Sequence, residues 1–373
     1  MERRSRRKWA IGLAGFAGLT LLALPVFRWP TPGTRYVGPS IGGGLGPGSP
    51  DPLVQSVRAA TTILRGTVGA ASGGHRKTVT IRGKGFPVDE NEADFALERV
   101  IKGTQASGME KVLFFATAEY PGFAGVRPGQ HGLVFLNDQG EVVDPLRPIL
   151  LLGPGGVQGQ PSPDSLQAVK QEMIFSLRDD VPSAILWDLA YELVVWLRVG
   201  VEEVRPALSQ LAASSDDNVS AVGLWGLAKY QDPAAVATLV KVAIAHASDP
   251  QHPSRRAIAA IGQPGFRDPT LASAIEPLLD TNIYQWRRDT LMALRDMRSL
   301  GELHRFADAL YEKNPELQYL GVTGLAWTLR AHGNEWTRGW GCTYEKFLGN
   351  REHYLSFWKK WWETEGRAKY GKQ

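Results

Sequence analysis

A single cysteine, Cys342, stands among 373 residues. That scarcity excludes an intrachain disulfide framework, a cysteine zinc site and a C-x-x-C redox pair. The seven histidines (His75, His131, His246, His252, His304, His332 and His353) form neither H-x-H nor H-E-x-x-H, and none joins a His/Cys cluster. No metal and no cofactor are therefore expected. His246 and His252 flank Asp249, but Pro250 and Pro253 place them in a solvated loop. No G-x-S-x-G elbow occurs, and the glycine-rich runs at 42–44 and 153–159 lack the G-K-[ST] of a phosphate cradle. The carboxylate pairs Asp179-Asp180, Glu202-Glu203 and Asp216-Asp217 each sit beside an expected helix start, where the helix dipole favours acids without any catalytic demand.

Charge of one sign is also missing over most of the chain. Residues 1–8 carry five basic groups and one acid. Taking these from the totals of 42 basic and 38 acidic residues leaves 37 of each. The pI near 9.1 is thus set by the amino terminus, and no basic field remains to hold nucleic acid. With 43% hydrophobic and 21% charged residues, the composition is that of folded domains.

What is present begins with an apolar run, Trp9 to Phe27, of 19 uncharged residues behind the basic cluster. As a helix it would span roughly 28 Å, about a bilayer core. Positive-inside asymmetry then sends the rest of the chain across the membrane. The run reads as an uncleaved anchor (1–30), with a cleaved signal peptide and secretion as the alternative; no A-x-A cleavage site closes it. Ser5-Arg6-Arg7-Lys8-Trp9 resembles a twin-arginine export motif, with Ala10-Ile11 departing from it. Ala10, Ala14 and Gly18 have the spacing of small residues at membrane-helix contacts, which a Gly/Ala-rich span produces readily.

Segment 31–52 holds seven glycines and five prolines in 22 residues, the composition of a flexible tether. A second break, 153–163, has seven Gly/Pro in eleven and is read as a linker. Between them, 53–152 carries short β-branched runs: 60–68, 78–82, 95–101, 112–116, 133–136 and 142–143, with Asn137-Asp138-Gln139-Gly140 as a hairpin turn. The expectation is a small all-β barrel or sandwich. The strings ATTILRGTV, FALERVIKG and PGQHGLVFL resemble the OB-like barrels of netrin and metalloprotease-inhibitor domains. The disulfides and free amino-terminal cysteine of the inhibitors have no counterpart here, so their activity is not implied.

From 164 to 335 a period dominates. Ala190-x-x-Leu193, Leu224-x-x-Leu227, Ile258-x-x-Ile261, Leu291-x-x-Leu294 and Val322-x-x-Leu325 recur at intervals of 34, 34, 33 and 31. Such spacing is the mark of an α-solenoid; an ordinary helical bundle is the alternative. Within one unit, Asp216-Asp217-Asn218 caps a helix and Gln231-Asp232-Pro233 breaks and restarts the chain. The string DDNVSAVGLWGLAKYQDPAAVATLVKVA resembles a HEAT-type repeat. The fold class expected is therefore multidomain α+β: a transmembrane helix or signal peptide, a small β-barrel and a C-terminal α-solenoid. Residues 336–373 read as a Trp-rich cap or tail.

Two sets of residues are candidates for a partner surface. Arg255 and Arg288 occupy equivalent repeat positions, 33 apart, and form either a ligand-facing ladder or ion pairs between repeats. Trp358, Trp361 and Trp362 lie on one side of an amphipathic FWKKWW segment that either caps the last repeat or docks to a membrane or partner. The functional expectation is a non-enzymatic, membrane-tethered extracytoplasmic scaffold that presents repeats to protein partners of the cell envelope. The alternatives are an envelope enzyme or subunit with a site at the barrel–solenoid junction, and a barrel that binds a glycan or small molecule.

Overall fold

The computed structural model describes residues 51–373 apart from 82–83, 105–108, 118–124, 263–268, 335–340 and 372–373. The apolar run at 9–27 and the Gly/Pro segment up to residue 50 lie outside them. Among the described residues no helix is long and apolar enough to cross a membrane. The fold is mixed α+β, an antiparallel sheet followed by a helical part, and residues 48–373 cluster as one compact unit.

A helix that the sequence pattern does not signal comes first. Asp51 caps α1 (Pro52–Ala59), its carboxylate accepting from the Leu53 and Val54 amides at 2.6 and 3.3 Å, with Pro52 in the first turn. The Asp-Pro pair, counted with the tether by composition, is a helix start.

The strands are β1 (Thr62–Ser72), β2 (Arg76–Ile81), β3 (Lys84–Lys102), β4 (Met109–Ala116), β5 (His131–Leu136) and β6 (Leu150–Leu151). The sheet order is β2-β3-β1-β5-β6, and β4 pairs with β3. β3 is much longer than its apolar run, 95–101, because Pro87 and the polar 89–92 segment continue the strand. Pro87 is opposed by Thr78 of β2, while β4 begins its pairing only at Asp89, so the missing proline N–H leaves no second ladder bond unmade. Beyond β5, Asn137 Oδ1 accepts from the Gln139 and Glu141 amides, and Gly140 adopts a φ of +77°. Val142 then bridges Leu136, and its N–H donates to the Leu113 carbonyl of β4 at 2.9 Å. The pairings thus run from β1 through β3 and β4 back to β5.

Alternation sorts the two faces of β1 and β5. Leu64, Val68, Val134 and Leu136 join Phe95, Val112 and Phe114 in one apolar cluster. Ile63, Leu133 and Phe135 face the other way and join the core of the helical part. Both faces are buried, which is why these strands read as near-continuous apolar runs.

The helical part comprises α2 (Ser165–Phe175), α3 (Ser183–Tyr191, continued by a π-turn over Glu192–Trp196), α4 (Val201–Ala212), α5 (Asp217–Lys229), α6 (Pro233–Ala245), α7 (Pro253–Ile261), α8 (Pro269–Ile275, continued by a 3-10 turn over Glu276–Asp280), α9 (Tyr284–Met297), α10 (Leu303–Ala309, entered by a 3-10 turn over Leu300–Glu302), α11 (Pro315–Ala331), α12 (Tyr344–Gly349), α13 (Arg351–Trp361, continued by a π-turn over Trp362–Gly366) and α14 (Arg367–Tyr370). Alternate helices pack in series: α3 on α5, α5 on α7, α7 on α9 and α9 on α11, with α4, α6, α8 and α10 forming the partner row. Every member of the periodic pairs, from Ala190 and Leu193 to Val322 and Leu325, falls on the first row and is buried. Asp216, Asp232 and Asn314 cap α5, α6 and α11 through their side chains, with proline in the first turn of the last two.

The tryptophans at the carboxy end depart from one expectation. Trp358, Trp361 and Trp362 are buried in the common core, with Trp358 and Trp361 ring centroids 5.4 Å apart. α13 packs on α11 and α14 on α10, so these rings close the ends of both rows. They present no docking face, because the apolar side of FWKKWW is spent on covering the last hairpin.

Candidate functional site

The strings ATTILRGTV, FALERVIKG and PGQHGLVFL lie largely in β1, β3 and β5, and each delivers a polar side chain to one place. Arg65 stands on the face of β1 that carries Ile63, with Arg99 opposite it on β3 and Leu133 opposite it on β5. Arg65 has no solvent exposure. Its guanidinium donates to Glu172 Oε2 of α2 at 2.7 Å and to the Gly153 carbonyl at 2.8 Å. Arg99 donates to the other Glu172 oxygen at 2.9 Å, to the Gly159 carbonyl at 2.6 Å and to the Val157 carbonyl. Glu98 lies 3.6 Å from Arg65 Nε and 2.9 Å from His131 Nε2. Burial pushes the Arg65 guanidinium below its ordinary value, and Glu172 and then Glu98 pull it back.

This knot clamps the Gly/Pro segment 153–163 to the sheet and to α2. Gly156 lies so close to Arg65 Nε and Glu172 Oε2 that a Cβ there would stand about 3.0 Å from both, 3.0 and 3.1 Å respectively. Chemically, the groups neutralise one another and bind backbone carbonyls. A shallow open depression of about 540 Å³ lies between α1, the end of β3 and the start of α2, lined in part by Arg58, Lys102, Asp164 and Leu166.

A second polar centre sits at the π-turn after α3. Glu192 is buried and accepts from Arg147 at 2.8 Å. Desolvation raises its carboxyl to about 7, Arg147 opposes this, and the Asp51 carboxyl adds to the rise. The π-turn widens the helix where it meets this group.

The candidate arginines are used between neighbouring helices. Arg255 of α7 lies 3.0 Å from Asp289 of α9, and Arg288 donates to Asp289 at 2.8 Å and to Glu316 of α11 at 2.7 Å. Tyr284 donates to the same Glu316 carboxylate, and burial raises its phenol well above the usual range. Asp289 is buried, and desolvation raises its carboxyl while Arg255 and Arg288 hold it down. The result is an ion-paired ridge across three successive first-row helices, on which Arg288 and Glu316 each keep 36% of their side-chain surface exposed. His246 and His252 both lie in the connection between α6 and α7, as the prolines suggest; His246 is exposed, whereas His252 is buried, caps α7 and stacks its ring on that of His246 at 3.9 Å.

Sequence spacing missed a third cluster. Glu276, Glu302 and His304 place one ligand atom each within 4.8 Å of one another. Glu276 lies in the turn after α8, Glu302 in the turn before α10 and His304 in the first turn of α10. No linear motif joins Glu276 to His304, 28 residues further on; only the stacking of neighbouring hairpins does.

No family model matches the chain, and no curated protein matches it. A solved structure of an engineered protein is 17% identical over 51% of this chain and 93% of its own, with a TM-score of 0.33. That likeness is too distant to carry fold or function.

Proposed function

We propose that the chain is a non-enzymatic extracytoplasmic scaffold, held to a membrane by the apolar run 9–27 and presenting HEAT-like helical repeats to protein partners of the cell envelope. The observation that carries this reading is the burial of every periodic pair on alternate helices that stack neighbour on neighbour. Stacked hairpins of this kind bury a continuous core and leave a long side-chain surface for partners. The ring of pairings from β1 through β3 and β4 to β5 supports a small barrel for residues 53–152, in line with the OB-like resemblance. The basic cluster before residue 9 supports translocation of the folded body.

Crosslinking with mass spectrometry on intact cells tests this. The expected result is repeated recovery of one envelope protein, with crosslinks on the helical rows and the chain in the membrane fraction. Recovery of the lone chain, together with turnover of a substrate by the purified protein, overturns it. A second reading, an enzyme subunit with its site at the sheet–helix junction, draws on the open depression between α1, β3 and α2.

A further inference from the structure

We propose that Glu276, Glu302 and His304 bind one divalent first-row metal ion, zinc by ligand type, as a staple between consecutive helical hairpins. The imidazole points to a cation more sharply than the carboxylates do. His304 Nδ1 lies 3.0 Å from the Gly301 carbonyl oxygen, which only accepts, so Nδ1 carries the proton. In the neutral ring Nε2 is then a bare lone pair, and it faces Glu276 Oε1 at 3.1 Å. Two lone pairs at that distance repel unless a positive centre, a second ring proton or a metal ion, lies between them.

A metal ion meets that need. Zinc holds histidine nitrogen and carboxylate oxygen at about 2.0–2.2 Å, which sets two ligand atoms about 3.0–3.4 Å apart for angles from 90° to tetrahedral. The His304–Glu276 separation of 3.1 Å falls within that interval, and the Glu302 ligand atom lies within 4.8 Å of both. Both carboxylates are buried.

The surroundings match the outer shell of a metal centre. A ligating histidine ordinarily gives its other N–H to a backbone carbonyl, as His304 does, and ligating carboxylates are themselves hydrogen-bonded. Arg305 Nε donates to Glu276 Oε1 at 2.7 Å and is held in turn by Asp280 at 3.1 Å. Three protein ligands leave a fourth position for water. This inference is independent of the scaffold reading, because an ion here ties the α7–α8 hairpin to the α9–α10 hairpin whatever the surface does.

Tag-free full-length protein, stripped with a chelator, is titrated with Zn²⁺ alone by calorimetry and its bound metal counted by mass spectrometry. One ion per chain is expected, with a rise in Tm and a visible ligand-field band when Co²⁺ replaces zinc. His304→Ala and the near-isosteric Glu302→Gln should each weaken binding at least about tenfold, while His246→Ala leaves it unchanged. Circular dichroism verifies that each variant is folded, and Glu302→Gln keeps the test open if His304→Ala is not. Failure of the wild-type chain to bind one ion, or equal binding by both folded variants, overturns the proposal; the second proton on the His304 ring would then be the positive centre.

Discussion

Arg65 holds its charge with no solvent contact, and the residues around it are arranged to make that tolerable. Removing one partner of a buried ion pair costs about 3–5 kcal/mol, because the other charge stays behind. Arg99 also reaches Glu172, so Arg65→Ala should sit at the lower end, about 3 kcal/mol, read from urea denaturation. The double variant Arg65→Met/Glu172→Met should lose less than the two single changes summed, the coupling expected of neighbours. Glu192 gives a second prediction at this scale. Its carboxyl is raised from 4.5 to about 7, so between those values the native state binds more protons than the unfolded chain. The stabilisation is complete below 4.5 and is lost as pH rises towards 7, and Glu192→Gln should flatten that fall in urea midpoints measured from pH 5 to 8. Asp289 and Asp296, also raised by burial, keep their own part of the slope. Neither Arg65 nor Glu192 stands out in the linear sequence. Arg65 occupies a position in ATTILRGTV that alternation assigns to the same face as Ile63, but its partner Glu172 lies 107 residues away.

At the scale of elements, close approach of paired helices rests on glycines, Gly223 and Gly324 among them. A Cβ on Gly223 of α5 would overlap the Ala212 amide nitrogen and the Leu208 carbonyl of α4. One on Gly324 of α11 would overlap the Phe306 ring of α10. Overpacking of this kind costs typically about 1–3 kcal/mol. Gly223→Ala should cost about 3 kcal/mol, since it meets backbone, and Gly324→Ala less, since a ring has room to turn; thermal melts of the two variants check the order. Helix boundaries at 216 and 232 were legible because caps and first-turn proline are local chemistry. The length of β3 was not, since Pro87 reads as a break until the partner strands are known.

For the whole molecule, the sheet is not a bead on a string. Ile63, Leu133 and Phe135 share a core with α2 and α3, and Arg99 and Arg65 pin the connecting segment 153–159. Composition alone marks that segment as a linker, because glycine and proline signal a chain without regular structure and say nothing of what grips its carbonyls. The helical rows were legible because their period is written in buried side chains; the joints between rows were not, because Arg255–Asp289, Arg288–Glu316 and the Glu276–His304 cluster arise only when hairpins stack.

Display of this body beyond a membrane is the claim on which the functional account turns. The measurement that reaches it most directly is labelling of intact cells with a membrane-impermeant maleimide, using a Cys342→Ser chain that carries Ser248→Cys at an exposed position after α6. The account predicts labelling before lysis, to the same extent as after it. Labelling that appears only once the cells are broken would contradict it.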